Sequence, residues 1–311
     1  MKTNSNLEKV LAAGHLAVTA ECGPPRGAMP DKVRERAAFL EGVCDAVNVT
    51  DNQTAMVRMS SLSASVIIKQ AGFGLNPLLQ MVSRDRNRLS MQADILGAYS
   101  LGIDTMLCLS GDHTKFGDHP NAMNVHDLDS IQMLQMVKGM RDEGKFQGGQ
   151  DIKGDPPKMF IGAAANPFAG PNVQVRAMRL AKKVRAGADF IQTQCIFNVD
   201  KFEQWMEIVR KMGLHKQTAI LAGVTPIKSV GAARYMQKKV PGMDVPQEIV
   251  DRMAATPKEK QPEEGIKICV EMMERIKKIE GVSGFHIMAI EWEEKVAEIC
   301  EKAGLLPRPQ L

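Results

Sequence analysis

The chain has 311 residues, 44% hydrophobic and 5% aromatic, with 40 basic against 36 acidic side chains and a formal net charge of +4. This content builds a large core and excludes a disordered chain, while so mild a charge and so few aromatics argue against a nucleic-acid partner. The slight positive bias suits small anionic ligands.

Taken from the amino terminus, MKTNSNLEKVLAAGH has no hydrophobic signal core, and no apolar run approaches the roughly 18 residues of a membrane span. The expectation is a cytoplasmic protein with no membrane contact. A strand at 15–21 (HLAVTAE) precedes a helical pattern at 31–41, and one at 46–50 (AVNVT) precedes 56–71. Strand 76–82 (NPLLQMV) leads to a helix at 88–101, and 105–110 (TMLCLS) leads to 128–143. The second half repeats the alternation: 159–165 (MFIGAAA) with 172–186, and 189–195 (DFIQTQC) with 200–212. Strand 218–224 (TAILAGV) is followed by helices at 229–239 and 262–279, and 284–289 (GFHIMA) by a last helix near 291–303.

Eight β–α alternations with nearly all-apolar strands predict an α/β protein, a single (β/α)8 TIM barrel. A doubly wound open sheet is the second choice, but ECGPPRG after the first strand is no GxGxxG, and GFGLNP at 72–77 precedes a strand instead of following one. No internal repeat or linker divides residues 1–311, which read as one barrel domain with loop insertions near 144–158 and 240–261. Six cysteines at 22, 44, 108, 195, 269 and 300 show no CxxC spacing and mostly lie in apolar runs, so they read as reduced core thiols.

Active sites of such barrels lie at the carboxyl ends of the strands. Those ends offer Glu21, then Thr50 with Asp51 and Asn52, then Gln80, then Asp112 with His113. Asn166, Gln192, Gln194, Thr225 and His286 continue the series, more polar residues than a purely structural barrel needs. Glu21 ends strand one in an apolar setting, which suits a proton donor, although a carboxylate that caps loop amides would read the same. Strand alternation turns Cys22 to the opposite side, toward the helices. LSGDHTKFGDHP at 109–120 has two Asp-His pairs that invite a metal reading, but no third cluster completes a site and no metal is expected. SRDRNR at 83–88 is either a set of local ion pairs or an arginine clamp for phosphates and carboxylates. RLAKKVRAGA at 179–188 is a basic helix face from which a lysine could reach a phosphate.

Glu21 followed by Pro24-Pro25, NVTDNQTA, LSGDH, AANP and above all KKVRAGADFIQTQCIFNVDKFEQW resemble methylenetetrahydrofolate reductase, in that family's order and across residues 14 to 305. SRDRNRLSMQADILGAYSLGID resembles a bacterial branch, and the small single-domain form looks like that of anaerobic acetogens. The resemblance implies a flavin at the strand ends, FAD first and FMN second, and reduction of 5,10-methylenetetrahydrofolate to 5-methyltetrahydrofolate. In that scheme Glu21 is the general acid that protonates N10, and hydride passes from flavin N5 to the methylene carbon. Asp112 matches the aspartate near the flavin and pterin, a catalytic and binding residue. Thr50 matches a flavin contact, Gln194 a pterin contact, Lys183 a cofactor-phosphate contact, with Arg176 on the same helix. Ala164 and Asn166 at the fifth strand's exit fall to the cofactor, and Gln80 to the substrate. Cys22-Gly23, Leu78, Asn166 and Val230 stand where the family often has aromatics or a histidine. The resemblance further implies a folate substrate with or without a polyglutamate tail, a place in one-carbon metabolism such as the methyl branch of acetogenic CO2 fixation, a second zinc- or iron–sulfur-containing subunit that supplies electrons, and self-association into a homo-oligomer. A pterin-binding barrel that passes methyl groups to a corrinoid protein, or a folate-binding subunit of a redox complex, would keep the same strand ends.

Overall fold

The computed structural model describes residues 1–170, 172–240 and 242–311. Eight parallel strands close into a barrel in chain order: β1 (Ala17–Cys22), β2 (Ala46–Val49), β3 (Pro77–Val82), β4 (Thr105–Leu109), β5 (Phe160–Ala165), β6 (Phe190–Cys195), β7 (Ala219–Val224) and β8 (Val282–Ile287). β8 returns to β1 with Thr19 opposite His286, and β1 meets β2 with Glu21 opposite Asn48. This is the (β/α)8 barrel that the alternation predicts.

Helices wrap the strands: α1 (Asn6–Ala12), α2 (Pro30–Ala38), α3 (Ser61–Gln70), α4 (Arg88–Ser100), α5 (Ser130–Asp142) and α6 (Val173–Ala186). Then come α7 (Val199–Lys211), α8 (Val230–Lys239), α9 (Gln247–Ala255), α10 (Gln261–Ile276) and α11 (Val296–Lys302). Outward strand residues and inward helix residues form one continuous apolar layer that includes Cys22, Ile68, Met91, Phe202 and Trp205. Each such large side chain contributes on the order of 1.5–3 kcal/mol by burial.

Inside the barrel, residue alternation builds layers. The lowest is apolar: Ala17, Ala46, Leu78, Leu107, Phe160, Phe190 and Leu221 pack with Leu7 and Val10 of α1, which plugs the base. Phe160 and Phe190 stack with centroids 5.2 Å apart. Above them Gly162 leaves room for the Phe190 ring, because a Cβ there would lie 2.2 Å from it. The next layer up is polar, with Thr19, Asn48, Gln192 and His286 all buried.

Three departures from the sequence reading have local causes. α1 is unforeseen, although SNLE is an N-terminal helix signature: the Ser5 side chain accepts from the Glu8 amide at 3.2 Å. The helix expected from 56 starts at Ser61, because Ser60 caps it by accepting from the Ser63 amide at 3.1 Å. The 240–261 stretch, read as a loop, contains α9, whose Val250 and Met253 are buried; Pro241 lies outside the described residues. Residues 144–158 do form an irregular loop, closed by one bridge between Lys145 and Asp151.

Candidate active site

A cavity of about 500 Å³ opens at the carboxyl ends of the strands, within the range of small-molecule sites. Glu21, Gln80, Asp112, Ala164, Asn166, Arg176, Lys183 and Gln194 all line it. Thr50 does not: it is 2% exposed, and its hydroxyl is buried without a hydrogen-bond partner behind the wall. Asp51, Asn52, Arg84, Gln192 and His286 complete much of the rest of the wall, which has no phenylalanine, tyrosine or tryptophan among the described residues.

Glu21 stands on the inward face at the end of β1, while Cys22 turns into the helix layer. Burial pushes the Cys22 thiol up to about 12, with a smaller contribution from Glu293, so it is a poor nucleophile. Beneath Glu21 lies a connected amide–hydroxyl–imidazole network. Asn48 Nδ2 donates to Gln192 Oε1 at 2.7 Å, and Gln192 Nε2 donates back to Asn48 Oδ1 at 2.9 Å. The second Gln192 N–H goes to Thr19 Oγ1 at 3.0 Å. Thr19 Oγ1 is 3.0 Å from His286 Nδ1 and 3.4 Å from the Phe285 carbonyl. With the hydroxyl proton assigned to the nearer partner, Nδ1 accepts and Nε2 bears the ring proton. That Nε2 faces Glu21 Oε1 at 3.8 Å. The network therefore fixes which ring nitrogen the acid meets. Thr19 and Asn48 escape a search confined to strand ends. Their signal is a polar residue at inward parity in AVTAE and AVNV, two positions below Glu21 and one register step across from it.

The opposite wall is basic. Arg176, Arg179 and Lys183 follow one stripe of α6 at spacings of three and four and all border the cavity. Among the described residues none of the three has a carboxylate within ion-pair distance. Lys183 Nζ donates to the Ala164 carbonyl. Burial, with Arg179 adding repulsion, lowers the Lys183 ammonium to about 8. Cations grouped this way without counter-charge favour an anionic ligand.

The arginines of SRDRNR behave otherwise. Arg84 holds Asp85 through Nε and Nη2, each at 2.7 Å, and donates Nη1 to the Asp112 carbonyl at 2.9 Å. Arg86 pairs with Asp51 at 2.6 Å, and Arg88 with Asp127 at 2.8 Å. Each guanidinium is already committed, so the segment ties strand ends together and is not a free clamp. Asp112 projects from the loop after β4, where its carboxylate accepts from the Thr54 amide at 3.2 Å. Thr54 belongs to NVTDNQTA, where Asn52, Thr54 and Ala55 all adopt positive φ of 43°, 56° and 57°. Left-handed non-glycine residues cost roughly 1 kcal/mol or more each, and three within four positions shape this turn against the wall. Gly117 packs on the same turn, since a Cβ would lie 1.8 Å from the Ala55 carbonyl oxygen. In LSGDHTKFGDHP the Asp-His pairs diverge. Asp118 binds Arg26 at 2.5 Å and His119 at 3.0 Å, while His113 Nδ1 accepts from the Lys115 amide at 3.1 Å. Among the described residues no three acid, histidine or cysteine side chains converge on a metal position.

A family model for methylenetetrahydrofolate reductase matches residues 6–304. The chain belongs to the methylenetetrahydrofolate reductase family. A probable methylenetetrahydrofolate reductase (NADPH) of Caenorhabditis elegans is 22% identical over 314 residues, covering 97% of this chain and 44% of that protein. Methylenetetrahydrofolate reductase 2 of Schizosaccharomyces pombe is 32% identical over 226 residues, covering 68% of this chain and 33% of that protein. The chain thus spans less than half the length of these relatives. Among solved structures, a Clostridium thermocellum protein described as binding two copies of 5-methyl-5,6,7,8-tetrahydrofolic acid superposes with TM-score 0.65 at 12% identity, covering 94% of this chain and 97% of that one. A riboflavin lyase with modified FMN and riboflavin superposes with TM-score 0.55 at 10% identity, covering 93% and 92%. Both similarities support the barrel of this methylenetetrahydrofolate reductase family member. No helix among the described residues is long and apolar enough to cross a membrane.

Proposed function

We propose that the chain catalyses flavin-dependent reduction of 5,10-methylenetetrahydrofolate to 5-methyltetrahydrofolate. The observation that carries this reading is one cavity with a carboxyl on one wall and an uncompensated basic stripe on the other. The donor set fits a flavin nucleotide: Arg176, Arg179 and Lys183 are the residues to hold its phosphates, and Ala164, Asn166 and Asp112 border the same space. FAD is preferred to FMN because a stripe of three cations serves a pyrophosphate better than a single phosphate. Flavin, when bound, supplies the hydride that reaches the methylene carbon of the substrate.

The chain's own residues do the proton chemistry and the orientation. Glu21 protonates N10 of the folate, which opens the imidazolidine ring and leaves an electrophilic methylene carbon. His286, locked by Thr19, Gln192 and Asn48, steadies that carboxyl from below. Gln80 and Gln194 offer amides to the pterin edge. Asp112 adds a negative charge at the rim, which disfavours further negative charge beside it and so strengthens a bound reductant. Thr50 acts from behind the wall, as support. The lining has no phenylalanine, tyrosine or tryptophan among the described residues to stack on a nicotinamide, and in this reading a zinc- or iron–sulfur-containing partner subunit is the electron source.

Glu21→Gln tests the acid. The variant is expected to accept electrons from reduced viologen as the wild type does, and to lose folate turnover by about 100-fold or more. Equal loss of both half-reactions in a folded variant would contradict the assignment.

A further inference from the structure

Glu21 also forms part of the wall of a second, much smaller cavity of about 10 Å³. That volume holds one water molecule. Glu293 borders it as well, in the 3-10 turn between β8 and α11, and is 5% exposed. Two further polar atoms beside it, Gln53 Oε1 and Arg58 Nε, are buried without any protein partner. A water there would find the acceptors and donors it needs. Ile290 and Glu291 also border the cavity, and both are exposed to solvent.

Resting on the assignment of Glu21 as the acid, the reaction needs such a route. Hydride addition with N10 protonation consumes one proton per turnover, and that proton leaves with the product. Glu21 must therefore regain a proton before each new turnover. We propose that Glu293 returns the proton to Glu21 through a single water held in the small cavity. The O–H bond of the Glu293 carboxyl breaks, the water takes that proton and gives one of its own to the Glu21 carboxylate. Glu293 then regains a proton from solvent past Glu291, and no electrons change hands. Glu293 touches neither substrate nor cofactor and is a positioning residue for the acid's proton.

The groups facing Glu293 fit a carboxyl that exchanges protons. Burial raises its tendency to stay protonated, and its neighbours Glu291 and Glu294 add to this, while its own backbone amide and Arg36 oppose it. Arg36 Nη1 is 3.8 Å from Glu293 Oε1 and also donates to the Gly23 carbonyl at 2.6 Å. Arg58 is anchored on the Pro24 carbonyl at 3.0 Å, and the Cys22 thiol stays protonated. Among these, Glu293 and Glu291 are the carboxyls that share the small cavity with Glu21.

The test compares Glu293→Gln with wild-type holoenzyme in two regimes. Single-turnover folate reduction, started with pre-reduced enzyme equilibrated at acidic pH, requires no resupply of a proton to Glu21 and is expected to stay within about twofold of wild type. Steady-state turnover with saturating reduced viologen is expected to fall about tenfold or more on the alkaline side, and Glu293→Asp to recover most of it. Equal losses in both regimes mean that Glu293 only holds the loop, and no loss in either means that Glu21 is recharged elsewhere; both overturn the proposal. Wild type supplies an independent reading should the variant not fold: alkaline steady-state turnover in deuterated water should slow, and no slowing overturns the relay. Glu21→Gln run alongside separates the layers. If it keeps single turnover, the acid assignment fails and the relay with it; if it loses single turnover while Glu293→Gln loses nothing, the relay alone fails.

Discussion

Replacing Asn48 by Leu removes half of the reciprocal amide pair beneath the acid. Asn48 is 0% and Gln192 3% exposed, so the pair is largely shielded from water. The substitution deletes the 2.7 Å and 2.9 Å bonds and leaves Gln192 with a buried acceptor and one buried N–H unmet. At about 1–3 kcal/mol for each of the two stranded groups, offset by about 1 kcal/mol of added apolar burial, the cost is about 1–5 kcal/mol. Gln192→Met strands Asn48 in the same way and also removes the donor to Thr19 at 3.0 Å, for a similar cost. The double variant Asn48→Leu/Gln192→Met has no amide left to strand, and Thr19 still gives its hydroxyl proton to His286. It is expected to lie nearer wild type than the sum of the singles by about 2 kcal/mol or more. Urea unfolding of the four proteins reads this from the midpoints, and double losses that simply add would refute the coupled pair.

Lys183→Met should be more stable than wild type at pH 7 in the absence of any anion. Because burial lowers this ammonium to about 8 from an ordinary 10.5, the unfolded chain holds more protons between those values, so wild-type stability rises there and the gap to the variant narrows. Thermal melting from pH 7 to pH 10 checks the sign, and a constant gap would count against a buried charged lysine. The same substitution should weaken flavin binding, and wild-type affinity should fall as pH rises through about 8, both measured by flavin fluorescence quenching. All six cysteines are buried, and Cys22, Cys269 and Cys300 are each pushed up to about 12, so a thiol reagent at pH 8 should label none before denaturant is added. Rapid labelling of Cys22 in the native protein would mean that the outward face of β1 is open.

Strand positions are legible because buried parallel strands read as short β-branched runs, and each observed strand lies within two residues of its expected bounds. The basic stripe is legible for a similar reason, since the spacing of Arg176, Arg179 and Lys183 matches the helix repeat. Which arginines are free is not legible. Arg84, Arg86 and Arg88 find their aspartates at Asp85, Asp51 and Asp127, and two of those partners come together only when the barrel closes. Thr50 shows the same limit: being at a strand end does not decide whether a side chain faces the cavity or the packing behind it. The polar layer under Glu21 depends on strand register, with Thr19 opposite His286 and Glu21 opposite Asn48, and register is a property of the closed sheet.

The most direct measurement is the visible spectrum of the chain purified and loaded with FAD or FMN, recorded anaerobically before and after adding 5-methyltetrahydrofolate. Flavin bands that bleach on addition, and that do not bleach in Glu21→Gln, are the predicted result. A protein that stays colourless after reconstitution, or whose flavin ignores the folate, would contradict the proposed reaction.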